Sequence, residues 1–321
     1  MPIVTTLGID TSNYTTSAAV YMPSTGEGRQ SRKLLPVKEG QLGLRQSDAV
    51  FHHMQQFPDV FSAIPSSWRE MEQVSAIGVS IRPRDVEGSY MPCFLAGHGF
   101  AKVLGEAYQK PVYCFSHQAG HLMAALYSSR QMGLYGRTFL AFHLSGGTTE
   151  ALLVHPSSSN PFVTSRVACS LDLKAGQVID RVGVMLGCSF PAGKELAALA
   201  EQSDRVFSIR PSMKGCDCSF SGLENQAQAL WKSGYSKEDV AKFILDSIEK
   251  ALIIMTERLL QEYGPLPLVY AGGVMSNRQI RERMLERFPC FFAQPEFSSD
   301  NAMGIAVLAA FAHEETCLPM K

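Results

Sequence analysis

Apolar and polar positions alternate along the chain in two rounds of one pattern. In the first round an apolar run over residues 3–10 ends in Asp10-Thr11-Ser12-Asn13, and residues 15–22 are apolar again before the turn at Ser24-Thr25-Gly26. This predicts a β-hairpin whose connection is rich in small hydroxyl and amide side chains, followed by a strand over about 29–37. A helix is expected to begin near Asp48, with Phe51, Met54 and Phe61 on its apolar face, and to break at Pro58. Residues 74–81 read as a buried strand. Residues 88–107 read as a loop running into a helix whose Ala96, Gly97, Gly99 and Ala101 let it lie close to another backbone. The strand at 112–115 closes the round.

The second round opens with apolar residues 138–144, the connection Ser145-Gly146-Gly147-Thr148-Thr149-Glu150 and a strand at 151–155. A third strand is expected near 161–170, helices over 174–186 and 193–201, and a loop containing Ser219-Phe220-Ser221-Gly222-Leu223. Residues 237–263 carry Phe243, Ile244, Ile248, Leu252, Met255 and Leu259 at helical spacing, an ordinary core stripe. A buried strand at 266–271 runs into Gly272-Gly273 with a basic helix behind it. The apolar stretch 291–297 ends at Ser298-Ser299-Asp300-Asn301-Ala302, the opening of a last helix. One supersecondary unit, repeated from near the midpoint, implies two related α/β domains facing a cleft.

Composition narrows this picture. With 45% hydrophobic and 18% charged residues in 321, the chain is an ordinary globular protein, and a formal net charge of -1 excludes a globally basic nucleic-acid binder. Arg278, Arg281, Arg283 and Arg287 form a local basic patch, read as a solvated helix face in preference to a nucleic-acid surface. The eight cysteines are scattered, several in apolar runs (Cys93, Cys114, Cys188), and the start of the sequence shows no secretory pattern, so a reduced cytoplasmic protein is expected. Cys216 and Cys218 lack the second pair a zinc site needs and read as loop thiols. No apolar run approaches the ~20 residues of a membrane span.

The chemistry gathers at a few places. After the strand at 112–115, Ser116 reads as the N-cap of a helix, which places His117 and His121 on one face where two imidazoles can grip one metal ion. The spacing matches the helical His pair of metalloproteases, but the position of their general base is Gln118, which cannot take a proton. The competing reading is one core and one solvated histidine. Asp300 is either the N-cap of the last helix or the hard oxygen donor that completes a 2-His-1-carboxylate set suited to Fe(II) or Zn(II).

Ser145-Gly146-Gly147-Thr148-Thr149 can offer backbone N–H groups and hydroxyls to phosphate or carboxylate oxygens, or can be a tight turn. The loop at Asp10-Thr11-Ser12-Asn13 faces it in the duplicated unit, so that a nucleotide would be held between two phosphate hairpins. Gly272-Gly273 would let an adenine or ribose lie against the backbone, with Asn277 as a hydrogen-bonding partner, or is a tight βα turn. Asp180 follows Asp172 and Gly176 at helical spacing, a carboxylate on a glycine-bearing face or simply a solvated one.

Taken together, these motifs resemble the tRNA N6-threonylcarbamoyladenosine synthase family, formerly called O-sialoglycoprotein endopeptidases, from Gly8 to Ala310. The resemblance implies the actin-like ATPase fold of the actin, sugar-kinase and heat-shock-ATPase superfamily. It places the first duplicated domain at 1–132, with 301–321 packing back on it, and the second at 133–300. It implies His117, His121 and Asp300 as metal ligands, the Ser145 to Thr149 loop as the family's Ser-Gly-Gly-His-Thr, and Asp180, Gly193 and Asn277 as substrate contacts. Cys218-Ser219-Phe220-Ser221-Gly222-Leu223 stands for the family's Phe-Ser-Phe-Ser-Gly-Leu.

The departures are as specific. The family's Cys-Asp-Glu-Thr after the first strand is Asn13-Tyr14-Thr15-Thr16, its Gly-Pro-Gly-Leu is Arg82-Pro83-Arg84-Asp85, its loop histidine is Thr148, its Gly-Glu pair is Gly176-Gln177, and its Gly-Gly after Pro is Ala192-Gly193. The chain thus looks like a divergent paralogue. The implied function is metal-dependent threonylcarbamoyl or carbamoyl transfer from an adenylate to an amine acceptor, with one divalent Fe or Zn and ATP or an adenylate as cofactors. The implied partners are tRNA and a related actin-like-fold subunit in a dimer or hetero-complex, with no membrane. The alternative is a non-catalytic nucleotide-binding partner of a true synthase, dimerising through the small-residue helix at 96–101.

Overall fold

The computed structural model describes residues 4–12, 14–36, 44–157 and 160–317. Asn13 and the end of the strand expected to reach 37 lie outside them. The chain divides into one unit of Met1–Met132, Ser157–Phe162 and Glu296–Lys321 and a second of Gly133–Pro156 and Val163–Pro295. Asp300 therefore belongs to the first unit, the one that holds the two histidines, and the second unit ends at 295 rather than at 300.

The first unit opens with β1 (Thr5–Ser12), β2 (Thr15–Met22) and β3 (Glu27–Leu34), an antiparallel meander. Helix α1 (Gln46–Ser62) leads to β4 (Val74–Arg82), α2 (Phe94–Tyr108) to β5 (Val112–Ser116), and α3 (His117–Ser128) follows at once. The sheet order is β3-β2-β1-β4-β5, with β4 parallel to β1 and β5 parallel to β4. Every residue of the central β1 is buried, whereas edge strand β3 is largely solvated and carries Arg29, Arg32 and Lys33, charges that keep an open edge from pairing with other chains.

Two local expectations fail here. Helix α1 runs through Pro58 to Ser62. The proline forfeits one hydrogen bond and its ring faces solvent, but Phe57 and Val60 on either side are buried in the core, which outweighs the loss. Phe51 and Met54 lie on the exposed side; the buried face is Ala49, His53, Gln56, Phe57 and Val60. Of the small residues of α2, Ala96, Gly97 and Ala101 face inward and Gly99 is exposed. A Cβ on Gly97 would stand 2.8 Å from the Thr11 hydroxyl, so that Ala96, Gly97 and Ala101 serve packing within the unit and are not open for a partner.

The second unit repeats the topology with β6 (Phe139–Leu144), β7 (Thr149–His155) and β8 (Val163–Cys169) as the antiparallel meander. There follow α4 (Ala175–Met185), α5 (Gly193–Ala200), the hairpin β9 (Ser212–Lys214) and β10 (Asp217–Ser219), α6 (Ser221–Lys232) and α7 (Lys237–Tyr263). Then come β11 (Leu268–Ala271), α8 (Arg278–Arg287) and β12 (Cys290–Phe292), in the order β12-β11-β6-β7-β8. Its core stacks Phe142 on Tyr270 at 4.6 Å and Tyr270 on Phe292 at 5.3 Å between ring centroids, and the buried Tyr270 hydroxyl meets Thr256 at 2.9 Å. Where a loop was expected around Ser219 to Leu223, the strand β10 ends and α6 begins.

The last helix, α9 (Met303–Cys317), returns to the first unit. Residues 301–310 are all buried, as an all-apolar helix face requires. A Cβ on Gly304 would land on the Gly120 carbonyl oxygen and 2.7 Å from the Ala124 nitrogen, so the missing side chain lets α9 lie directly on α3. That crossing joins the helix carrying both histidines to the segment carrying Asp300. No helix of the described residues is long and apolar enough to cross a membrane.

Candidate metal centre and glycine loops

Ser116 starts α3 as the sequence predicts. Its backbone is extended, and its hydroxyl oxygen accepts from Ala119 N at 3.1 Å, satisfying one of the helix's free donors. The same hydroxyl donates to Asp85 Oδ2 at 2.5 Å, and Asp85 Oδ1 accepts from Arg82 Nε and Nη2 at 3.0 and 2.8 Å. Gln118 N donates to the Pro83 carbonyl at 3.0 Å. The stretch that replaces the family's Gly-Pro-Gly-Leu thus clamps the start of α3, with an anion where the helix dipole favours one.

From this start His117 and His121 emerge one turn apart, with their Nε2 atoms 2.9 Å from each other. Asp300 Oδ1 lies 3.4 Å from His117 Nε2 and 3.3 Å from His121 Nε2. Among the described residues these three are the group whose ligand atoms all fall within 4.8 Å of one another. Metal bonds of about 2.0–2.2 Å at ordinary angles put neighbouring ligand atoms about 2.9–3.5 Å apart, so the three separations fit one ion of the zinc or ferrous type. Asp300 is not a helix cap: α9 begins at Met303, and it is Asn301 Oδ1 that accepts from Met303 N at 3.1 Å.

Asp10, across the sequence on β1, completes the arrangement. Its Oδ1 stands 3.1 Å from His117 Nδ1 and also accepts from the Ser80 hydroxyl. A carboxylate behind a histidine holds the ring so that Nε2 presents its lone pair forward. Asp10 Oδ2 and Ser12 Oγ, on the same strand face two residues apart, are buried without a hydrogen-bond partner. Such orphaned oxygens suit a bound cation or polar ligand nearby.

Charge follows the geometry. Burial works against a charged His117, but Asp10 and Asp300 outweigh it and push its pKa up to about 10. For Asp300, burial works against ionisation, yet the bonds from His117 and His121 hold it well below the usual carboxylate range. A proton held among these groups occupies the place an ion would take, so an ion binding there would have to displace it. His53, by contrast, is pushed down to about 4 by burial, against the pull of Asp10, and meets Thr16 Oγ1 at 2.8 Å as a neutral core histidine.

In the second unit, the Ser145 to Thr149 loop caps α4. Ser145 O accepts from Gly176 N at 3.2 Å and Thr149 Oγ1 from Ala175 N at 2.9 Å, while Ser145 Oγ accepts from Thr148 N at 3.1 Å within the turn. Gly146 and Gly147 are exposed, and a Cβ on either would meet nothing within 4 Å. Gly272 has φ +100° and no room for a side chain against the Leu144 carbonyl, which sets the two glycine loops side by side; Gly273 is open.

The other expected contacts are partly committed to structure. Asn277 Oδ1 caps α8 by accepting from Ile280 N at 3.0 Å. Asp180 Oδ1 accepts from Ala192 N at 2.8 Å, tying α4 to the turn that opens α5 at Gly193. Asp172 precedes α4 and does not share a helical face with Asp180. It accepts from Phe220 N at 2.7 Å, Ser221 N at 3.2 Å and Ser221 Oγ at 2.6 Å, at the start of α6.

Burial opposes the Asp172 charge, but these donors hold its pKa below the ordinary value, so its contribution to stability is present above the unfolded-state pKa and is lost as pH falls. Asp172→Ala should cost about 1–2 kcal/mol, read in a denaturant melt. The α8 arginines are occupied within the protein: Arg278 with Glu282, Arg283 with Glu286, Arg287 with Glu257, and Arg281 over Phe292.

Comparison with known proteins agrees with the resemblance seen in the sequence. The family model TsaD, tRNA N6-adenosine threonylcarbamoyltransferase, matches residues 41–307. The tRNA N6-adenosine threonylcarbamoyltransferase of Aromatoleum aromaticum is 30% identical over 319 residues, 95% of this chain and 90% of that protein. The Methanopyrus kandleri protein of the same name is 26% identical over 278 residues, 85% and 77% respectively. Among solved structures, component A of the Acidaminococcus fermentans (R)-2-hydroxyglutaryl-CoA dehydratase has a TM-score of 0.54 at 15% identity, covering 97% of this chain and 99% of that one. Full-length HypF, in a phosphate- and nucleotide-bound form, has a TM-score of 0.59 at 13% identity, covering 99% and 56%. These likenesses show the actin-like ATPase fold, as do the two five-stranded sheets of one topology. With more than half of its length matched, the chain belongs to the tRNA N6-adenosine threonylcarbamoyltransferase family.

Proposed function

We propose that this chain is a metal-dependent transferase that moves a threonylcarbamoyl group from an adenylate to the N6 amine of a tRNA adenosine. The observation that carries the metal dependence is the convergence of His117, His121 and Asp300 to within 3.4 Å, with Asp10 behind His117. An ion bound there supplies Lewis acidity to the carbonyl or carboxyl oxygens of the transferred group. The exposed, side-chain-free backbone at Gly146 and Gly147 and the open space at Gly273 suit the phosphate and ribose of the donor, with Asp180 tied to the start of α5 at Gly193 and Asn277 at the start of α8 as further candidate contacts. In the first unit the partnerless Ser12 Oγ and Asp10 Oδ2, behind His117, suit a polar ligand or ion.

In the transfer the amine nitrogen attacks the carbamoyl carbon, a C–N bond forms, the C–O bond to the adenylate phosphate breaks, AMP leaves with that electron pair, and the amine's proton passes to solvent. The site departs from the family pattern at Thr15, which stands where a carboxylate is usual. Its hydroxyl donates to Asp300 Oδ2 at 3.4 Å and leaves Oδ1 for the ion. Incubating the metal-loaded protein with threonylcarbamoyl-AMP and tRNA should release AMP and yield N6-modified adenosine. An intact adenylate would instead support a nucleotide-binding partner without activity of its own.

A further inference from the structure

Two of the three metal-capable side chains sit on one rigid helix, but the third does not. Asp300 lies in irregular chain between the turn at Pro295–Phe297 and the start of α9, so its approach to the histidines depends on what fixes that loop. Asn301 holds it from within, donating through Nδ2 to Phe297 O at 3.1 Å and Ser299 O at 2.7 Å.

From outside, a single guanidinium reaches over from edge strand β3. Arg32 Nη1 donates to Glu296 O at 3.0 Å, to Asp300 O at 3.4 Å and to the Ser299 hydroxyl. The neighbouring Lys33 points to the other face of the sheet, as successive strand residues do, and meets Asp59 of α1 at 3.5 Å.

We infer that Arg32 is a positioning residue for the metal centre, its guanidinium fastening the backbone that presents Asp300 to His117 and His121. The inference rests on the metal reading above. It makes a claim about sign that separates it from simple electrostatics. Removing a cation near a divalent-ion site should tighten ion binding if charge alone matters. Removing a group that holds a ligand in place should weaken it, and loss of such an outer partner costs about 10–100-fold in metal affinity.

The test is Co²⁺ titration of the full-length, metal-free protein, followed by the visible d–d absorption bands that report ligand number and geometry. Wild type should take one Co²⁺ per chain. Arg32→Ala should bind it about tenfold or more weakly with altered bands, while folded by circular dichroism. Lys33→Ala, which removes the same charge on the opposite face, should match wild type. Arg32→Ala binding Co²⁺ as tightly as wild type or tighter, or Lys33→Ala weakening it equally, would overturn the positioning role. Wild type that binds no Co²⁺ would overturn the metal reading itself.

Discussion

Replacing His117 with Ala is expected to lower divalent-metal affinity on the order of 10²–10³-fold, about one ligand's share of the ~10–16 kcal/mol that structural zinc sites supply. It should also destabilise the metal-free protein, because His117 is the counter-ion to the fully buried Asp10, 3.1 Å away, and breaking a buried pair costs about 3–5 kcal/mol. His121→Ala leaves the Asp10–His117 pair intact. It should therefore lose the metal at little cost to the metal-free fold. Metal content after dialysis, set beside thermal melts of both metal-free variants, separates the two effects. A His117→Ala protein that retains a full equivalent of metal would remove the site.

The second large effect is expected at Gly304. Any side chain there meets the backbone of α3 at Gly120 and Ala124, and backbone cannot turn aside as a side chain can, so α9 must lift away. Overpacking of this kind costs about 1–3 kcal/mol or more, against a gain of at most about 1 kcal/mol in helix propensity for Gly→Ala. Because Asp300 precedes α9 by three residues and the histidines ride on α3, Gly304→Ala should lower both the melting temperature and the metal affinity. Gly99→Ala makes the contrast. On α2 its Cβ would meet nothing within 4 Å, and it should be neutral to stabilising by up to about 1 kcal/mol. Equal melting temperatures for Gly304→Ala and wild type would show that the close crossing of α3 and α9 is not required.

Much of the fold is legible in the sequence because the repeated motif of apolar strand, small-hydroxyl loop and apolar strand maps onto β1–β2 and β6–β7, each the heart of a five-stranded sheet of one topology. The His117 and His121 pair is legible for a similar reason: a capped helix start fixes which residues share a face. Short, weakly patterned elements are harder to see. Helix α6 buries only Leu223 and Ala227 of its twelve residues, and the hairpin β9–β10 has three residues a strand. Around α1 the apolar Phe51 and Met54 mislead, because the face that packs includes the polar His53 and Gln56, which are bonded to Thr16.

The parts of the centre that hold the ligands were not legible at all. Asp10 meets His117 across 107 positions and Arg32 meets Asp300 across 268, and neither contact leaves a local spacing to detect. Only the sheet order, which sets β1 beside β2 and β4 and places β3 at the edge next to β2, brings those side chains to the centre. Asp172 shows the converse: helical spacing to Asp180 suggested a shared face, but the helix starts three residues later and the carboxylate serves α6 instead.

The central claim is that one metal ion at His117, His121 and Asp300 is required for transfer from an adenylate. The most direct measurement titrates metal-free protein with Fe(II) or Zn(II) while following AMP release from threonylcarbamoyl-AMP in the presence of tRNA. AMP release should rise in proportion to bound metal, level off at one ion per chain, and stay at background in His121→Ala. Full release by protein without metal, or the same release from His121→Ala, would contradict it.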